Sequence, residues 1–219
     1  GNPFRTTQTT CQNWKRPRNR FIQDYLDQDG FLIHLYIAPK SALPHFVSKL
    51  TVCRNLDYLG FGDFSLEDDA FAQIHRIRFL RILSVFSPLS DRQISDISRL
   101  PNLLALILRN TSGAPSSMTD ESLKSIAEIS TLTYLELVDL PVSNEGLRHL
   151  TRQKLPNFRL IFLSGVQNVT REGVYYLLKE FPQNREYGCT IQGDSQIKYW
   201  MSQYDAAKDG SAEPDTTRP

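Results

Sequence analysis

Apolar residues recur along this chain in two alternating spacings. In residues 132–150, Leu132, Leu135 and Leu137 are spaced as Leu-x-x-Leu-x-Leu, and Val142, Leu147 and Leu150 follow after a polar break. The first triplet suits a strand and the second a short helix, with Ser143 as its cap and Gly146 in its first turn. One strand, one turn and one short helix cannot bury their own apolar side. The pattern therefore predicts stacking on copies of the same unit.

The copies are present. With Leu132 as anchor, each frame has apolar residues three before the anchor and three and five after it, then a helical triplet at offsets 0, +5 and +8. Frame one has Leu32, Leu35, Ile37, Ala42, Val47 and Leu50, with Asp29 in the leading position. Frame two has Cys53, Leu56, Leu59, Phe61, Leu66, Phe71 and Ile74; frame three has Ile77, Leu80, Leu83, Val85, Leu89, Ile94 and Ile97. Frame four has Leu100, Leu103, Leu106, Leu108, Met118, Leu123 and Ile126, and frame five adds Ile129 to the residues of the first paragraph. Frame six has Leu155, Phe158, Ile161, Leu163, Val169, Val174 and Leu177. Of 42 such places 41 are apolar, against about 17 expected by chance in a chain of this hydrophobicity. The anchors Leu32, Leu56, Leu80, Leu103, Leu132 and Phe158 step by 24, 24, 23, 29 and 26 residues.

Around the frames the chain divides readily. Residues 1–20 are polar, with Lys15, Arg16, Arg18 and Arg20 around Trp14 and Pro17, and read as a flexible basic segment that could contact phosphate or an import receptor. Phe21, Ile22, Tyr25 and Leu26 have helical spacing and predict a capping helix over 21–30 that covers the edge of the first strand. The frames run through 31–191, closed by a seventh strand in which Tyr187, Cys189 and Ile191 alternate and Asn184 stands for the anchor. Ser90, Thr119, Ser143 and Thr170 are expected helix caps, with Asp91, Asp120 and Glu145 placed to suit the helix dipoles. Pro44 falls near the first helix start, and residues 110–117 form a longer, projecting loop. Ser195 is expected to cap a C-terminal helix over 192–205 with Ile197, Trp200, Met201 and Tyr204 as its apolar stripe, followed by a disordered tail over 206–219.

Composition adds limits. The 219 residues hold 25 Lys plus Arg against 24 Asp plus Glu, so no overall field favours or repels nucleic acid. The longest apolar runs fall well short of a membrane span. Three scattered cysteines, Cys11, Cys53 and Cys189, suggest neither a disulfide framework nor a zinc cluster, and Cys53 on an inward position reads as a free core thiol in a reducing compartment. The histidines His34, His45, His75 and His149 fall in separate frames. With no nucleophile–base pair, phosphate loop or ligand cluster, the chain reads as non-enzymatic, without cofactor or metal.

The segments MTDESLKSIAEI, VSNEGLRHL and VTREGVYYLL, together with the period, resemble the leucine-rich-repeat superfamily. They look like those of the cysteine-containing-like subtype found in F-box leucine-rich proteins and ATP synthase coupling factor B. The resemblance covers about residues 31–191, without an F-box, and implies an α/β leucine-rich-repeat solenoid of about six strand-turn-helix repeats with a parallel sheet on its concave face. It also implies protein binding. Eight positions after the anchor, where the subtype usually carries Cys or Asn to bond the turn backbone, this chain has Phe64, Pro88, Thr111, Leu140 and Val166.

Strand alternation sends offsets +2, +4 and +6 to the concave face. These are His34, Tyr36, Ala38; Tyr58, Gly60, Gly62; Ile82, Ser84, Phe86; Ala105, Ile107, Arg109; Tyr134, Glu136, Val138; and Leu160, Phe162, Ser164. The stripe is apolar and aromatic, with Arg109 and Glu136 as its charges. It predicts a partner-binding site made by Tyr36, Tyr58, Ile82, Phe86, Ile107, Arg109, Tyr134, Glu136, Leu160 and Phe162. The expected function is a protein-interaction module, an adaptor or assembly subunit of a hetero-complex that grips a partner helix or extended segment. The alternatives are a nucleic-acid-associated factor using the basic segment, and a mitochondrial assembly factor resembling coupling factor B. Location is expected to be intracellular, in nucleus, cytoplasm or mitochondrion, with no membrane contact.

Overall fold

The strand triplets become the strands of one sheet. The computed structural model describes residues 22–26, 32–37, 50, 51, 53, 55–63, 69, 71–182 and 189–208. Among them, eight strands lie side by side in chain order: β1 (Ile22–Leu26), β2 (Leu32–Ile37), β3 (Tyr58–Phe61), β4 (Ile82–Val85), β5 (Ala105–Arg109), β6 (Tyr134–Val138), β7 (Leu160–Ser164) and β8 (Thr190–Gly193). Strands β2 to β8 are parallel, and β1 runs antiparallel to β2. His34 pairs with Tyr58, Tyr58 with Ile82, Ile82 with Ala105, Ala105 with Tyr134, and Tyr134 with Leu160. The register thus advances by the same residue counts as the anchors.

Each parallel step from β4 onward carries a helix: α1 (Asp91–Ile97), α2 (Asp120–Ile126), α3 (Asn144–Leu147), α4 (Arg171–Glu180) and, after β8, α5 (Ser195–Lys208). Consecutive helices pack on one another. Frame two departs from expectation: a 3-10 turn, Ile74–Arg76, stands where a helix was expected. Phe71, Ile74 and Ile77 are all buried, so a turn with a three-residue period suffices to seat them. Helix and strand triplets meet in one continuous core. Of the 41 apolar frame residues, 36 have described side chains, and all are at most 4% exposed. Each large side chain so buried contributes about 1.5–3 kcal/mol before the cost of ordering it.

Four expectations are corrected. Residues Ile22–Leu26 form a strand, not a helix. Apolar residues at 21, 22, 25 and 26 fit a helix, but a helix would leave the backbone edge of β2 unpaired, whereas β1 bonds along it from Ile22 opposite Ile37 to Leu26 opposite Leu32. Cys53 is disulfide-bonded rather than the free core thiol expected. The last helix is capped by Asp194, whose carboxylate accepts from the Gln196 and Ile197 amides at 3.0 and 3.2 Å, rather than by Ser195. That helix continues to Lys208, into the span expected to be tail. Lys15, Arg16, Arg18, Arg20, Cys11, Phe21, Ala38, Ala42, Pro44, His45, Val47, Phe64, Leu66, Asn184, Tyr187 and residues 209–219 lie outside the described residues. No described helix is long and apolar enough to cross a membrane.

The helix starts hold a polar ladder. Ser90, Thr119 and Ser143 cap their own helices, Ser90 in a reciprocal capping box with Gln93. The residue after each cap reaches forward to the next helix. Asp91 accepts from the Thr119 amide and hydroxyl at 2.8 and 2.7 Å and from the Ser122 hydroxyl. Asp120 accepts from the Ser143 amide at 2.9 Å and from its hydroxyl. Asn144 accepts from the Thr170 amide at 2.9 Å and donates to its hydroxyl at 2.8 Å, and Thr170 makes no side-chain bond to its own helix. Gly146 leaves the room this requires, because a Cβ there would collide with the Asp120 carboxylate and Leu123. Turn backbones at the strand ends are bonded by Ser87, whose hydroxyl donates to the Gly62 carbonyl at 2.7 Å, and by Thr111, which donates to the Phe86 carbonyl at 2.9 Å.

Candidate functional site: the open face of the sheet

Because strand side chains alternate, burial of the +3 and +5 positions against the helices sends +2, +4 and +6 to the other face. All ten expected partner-binding residues lie there. Tyr36, Tyr58, Ile82, Phe86, Ile107, Arg109, Tyr134, Leu160 and Phe162 are half-buried, and Glu136 is buried. Tyr36, Ile107, Glu136 and Phe162 hold the middle row with Gly60 and Ser84, in direct cross-strand register.

The small residues of that row shape the face. A Cβ on Gly60 would meet the Tyr36 ring and the Tyr58 hydroxyl, so the missing side chain lets both tyrosines lean across β3. Ser84, 1% exposed, continues the dip on β4. Around it the rings assemble: His34 lies 5.7 Å from Tyr58, Tyr36 lies 6.2 Å from Phe86, and the Arg109 guanidinium sits 5.3 Å from the Phe86 centroid. Burial, and then the neighbouring Tyr58, raise the pKa of Tyr36 above the ordinary phenol value.

Arg109 also links this cluster to the charged centre of the face. Its Nε donates to Glu136 Oε1 at 2.5 Å, and the Tyr134 hydroxyl donates to Glu136 Oε2 at 2.6 Å. The Glu136 side chain is 6% exposed against 43% for Arg109. A carboxylate this buried is tolerable only when paired and hydrogen-bonded, and both oxygens are engaged. Tyr134 is held well above the ordinary phenol range, first by burial and then by its bond to Glu136, so it stays a donor. A contact chain thus runs Tyr36–Phe86–Arg109–Glu136–Tyr134, and the two charges cancel within the face. Ile82, Ile107, Leu160 and Phe162 complete an apolar surface.

Reactive groups are dispersed. His34 lies on β2, His75 in the 3-10 turn and His149 beyond α3. Among the described residues no three His, Cys, Asp or Glu side chains gather as metal ligands. Burial pushes the free Cys189 thiol up to about 12, leaving it a neutral core group. Sequence reasoning placed Arg109 and Glu136 on one face but did not pair them, and gave Gly60 and Ser84 no role. Small residues at a +4 position between tyrosines were the available signal. No family model matches the chain, and comparison with curated proteins finds no significant relative.

Proposed function

We propose that this chain is a leucine-rich-repeat solenoid acting as a non-enzymatic interaction module, an adaptor or assembly subunit, whose concave sheet face receives a helix of a protein partner. The observation that carries this reading is the self-neutralised apolar face: one ion pair, internally satisfied, among half-exposed aromatic and aliphatic side chains. Such a surface favours an apolar, uncharged strip on the partner and disfavours phosphate. A helix suits it better than an extended segment. Backbone groups of the inner strands are already used in the sheet, so an extended chain laid across it would bury unpaired peptide groups, while a helix satisfies its own. From β2 to β7 the face spans roughly 24 Å at the usual strand spacing, the length of about 16 helical residues.

The test places a benzoylphenylalanine photo-cross-linker at position 58 or 162 of the full chain in native extract. One protein should be captured at both positions, through a helical segment identified by mass spectrometry. The purified pair should then lose affinity by about a hundredfold or more in Tyr58→Ala/Phe162→Ala, with circular dichroism unchanged. Retained binding by the double variant, or cross-links scattered over unrelated proteins, would refute the reading.

A further inference from the structure

A second surface lies on the edge where the chain passes from each helix or turn into the next strand. The residue just before the inward anchor is Asn55, Asn102 or Asn157 in three steps and Thr131 in another. Its task is local: Asn102 donates to the Arg78 carbonyl at 2.7 Å, Asn157 to the Ser130 carbonyl at 3.4 Å, and Thr131 to the Leu103 carbonyl at 2.7 Å. In the other two steps the place is taken by phenylalanine: Phe31, which lies outside the described residues, and Phe79, whose ring makes no such bond and is 57% exposed. Only Phe79 and Tyr199 are exposed large hydrophobics among the described residues.

Phe79 borders an open groove of about 680 Å³ whose lining includes Leu104, Asn102, His34, Asp57 and Arg81. The segment 75–81 carries Arg76, Arg78 and Arg81 and no acid, and the next step adds Arg99. Arg81 is ion-paired with Asp57, and Arg99 lies 3.7 Å from Asp96. Arg76 bonds Gln73 at 3.3 Å, and the Arg78 guanidinium has no ion-pair partner among the described residues. Four arginines against two carboxylates leave two positive charges on this edge, of a net +1 for the whole chain. Cations near helix ends suit the helix dipole, but the dipole does not account for an exposed phenyl ring beside them, in a place that holds a polar Asn or Thr in four of the six steps. Exposed aromatic and arginine side chains beside an apolar floor are the composition of interface anchors.

We propose that this groove docks an acidic protein segment, which sets an aliphatic side chain against Phe79 and Leu104 while its carboxylates meet Arg78 and the open side of Arg81. The apolar floor of Phe79 and Leu104 suits an aliphatic side chain, which a peptide carries and a phosphate backbone does not, and so favours a peptide over nucleic acid. The groove adjoins the open face of the sheet at His34, whose ring lies 5.7 Å from Tyr58, while Phe162 of that face is not part of its lining.

The probe is a fluorescein-labelled dodecapeptide of glutamates around a central Leu-Leu pair, read by fluorescence anisotropy against its glutamine counterpart and a dodecamer of single-stranded thymidylate. The glutamate peptide should bind more tightly than both. Phe79→Asn and Arg78→Glu should each weaken it by about tenfold, and Phe162→Ala should leave it unchanged. Phe79→Asn installs the residue found at three of the equivalent positions, so its circular dichroism and melting temperature should stay native; if it does not fold, exposed Arg78→Glu carries the test. Equal binding of the glutamate and glutamine peptides, full affinity in the variant tested, or tighter binding of the oligonucleotide would each overturn the proposal.

Discussion

Replacing Asp120 by alanine separates two accounts of the acids at the helix starts. If Asp120 serves only the dipole of its own helix, its loss costs about 0.3–1 kcal/mol, the same as loss of Glu121, an exposed first-turn neighbour that reaches only Lys124. In the structure Asp120 instead accepts two hydrogen bonds from Ser143 of the following step. Bonds to an ionised acceptor contribute about 1.5–3 kcal/mol each when buried. Both residues here are half-buried, which lowers the total to about 2–3 kcal/mol. Ser143→Ala should cost about 1–1.5 kcal/mol, since it removes the cap on the Glu145 amide as well as the donor to Asp120. The double variant should be more stable than the sum predicts by about 1 kcal/mol, because the shared bond is lost only once. Urea unfolding at 25 °C followed by circular dichroism measures all four proteins, with Glu121→Ala as control. If Asp120→Ala costs no more than Glu121→Ala, or adds to Ser143→Ala without coupling, the ladder does not hold successive helices together.

Gly146→Ala should destabilise by about 1–3 kcal/mol, although an alanine in a helix normally gains about 1 kcal/mol, because its Cβ meets the Asp120 carboxylate and Leu123; a raised melting temperature would contradict the packing. Arg109→Met should cost about 2 kcal/mol by stranding Glu136, and lower the melting temperature by roughly 4–8 °C. Adding Glu136→Met should recover most of it, and no recovery would show that Arg109 acts through packing on Phe86 alone. For Asp91 and Asp194 burial acts to raise the pKa, but bonds from Ser122 and Thr119 to the first, and from Gly165, Ile197 and Gln196 to the second, prevail and hold both below the ordinary value. Folded pKa values below the unfolded ones mean that this stability is full above about pH 4 and is lost as pH falls through the folded values. Asp91→Asn should therefore reduce the acid-side slope of unfolding free energy against pH, with little change in slope above pH 5.

The periodic parts of this fold were legible in the sequence because burial imposes the period. Leu135, Leu106 and Leu83 had to face one side of their strands, and a shift of one residue would have exposed them all. Serine and threonine caps were legible for a similar reason, since orphan amides need an oxygen at a fixed place. What escaped were features in which two readings share one pattern. Residues 21–26 satisfy both helical and strand spacing, and only the unpaired edge of β2 decides between them, though the Asp29-Gly30 pair is a hairpin signature that was available. Asp91 and Asp120 looked explained by their own helix dipoles, which hid their longer reach. The open face was legible as a list of positions but not as an arrangement, because the Arg109–Glu136 pair and the tyrosines over Gly60 depend on rotamers that spacing does not determine.

The ladder at the helix starts also has a direction. Each carboxylate or amide oxygen belongs to an earlier step and each amide it receives to a later one. Detaching steps from the C-terminal end frees an acceptor such as Asp120, which water solvates well, while the helix that supplied the donors unfolds with the part removed. Detaching them from the N-terminal end leaves a folded helix whose cap amide has lost its acceptor. The two ends of the ladder are therefore unequal in what they leave behind, and through it the steps from α1 to α4 come apart more readily from α4 than from α1.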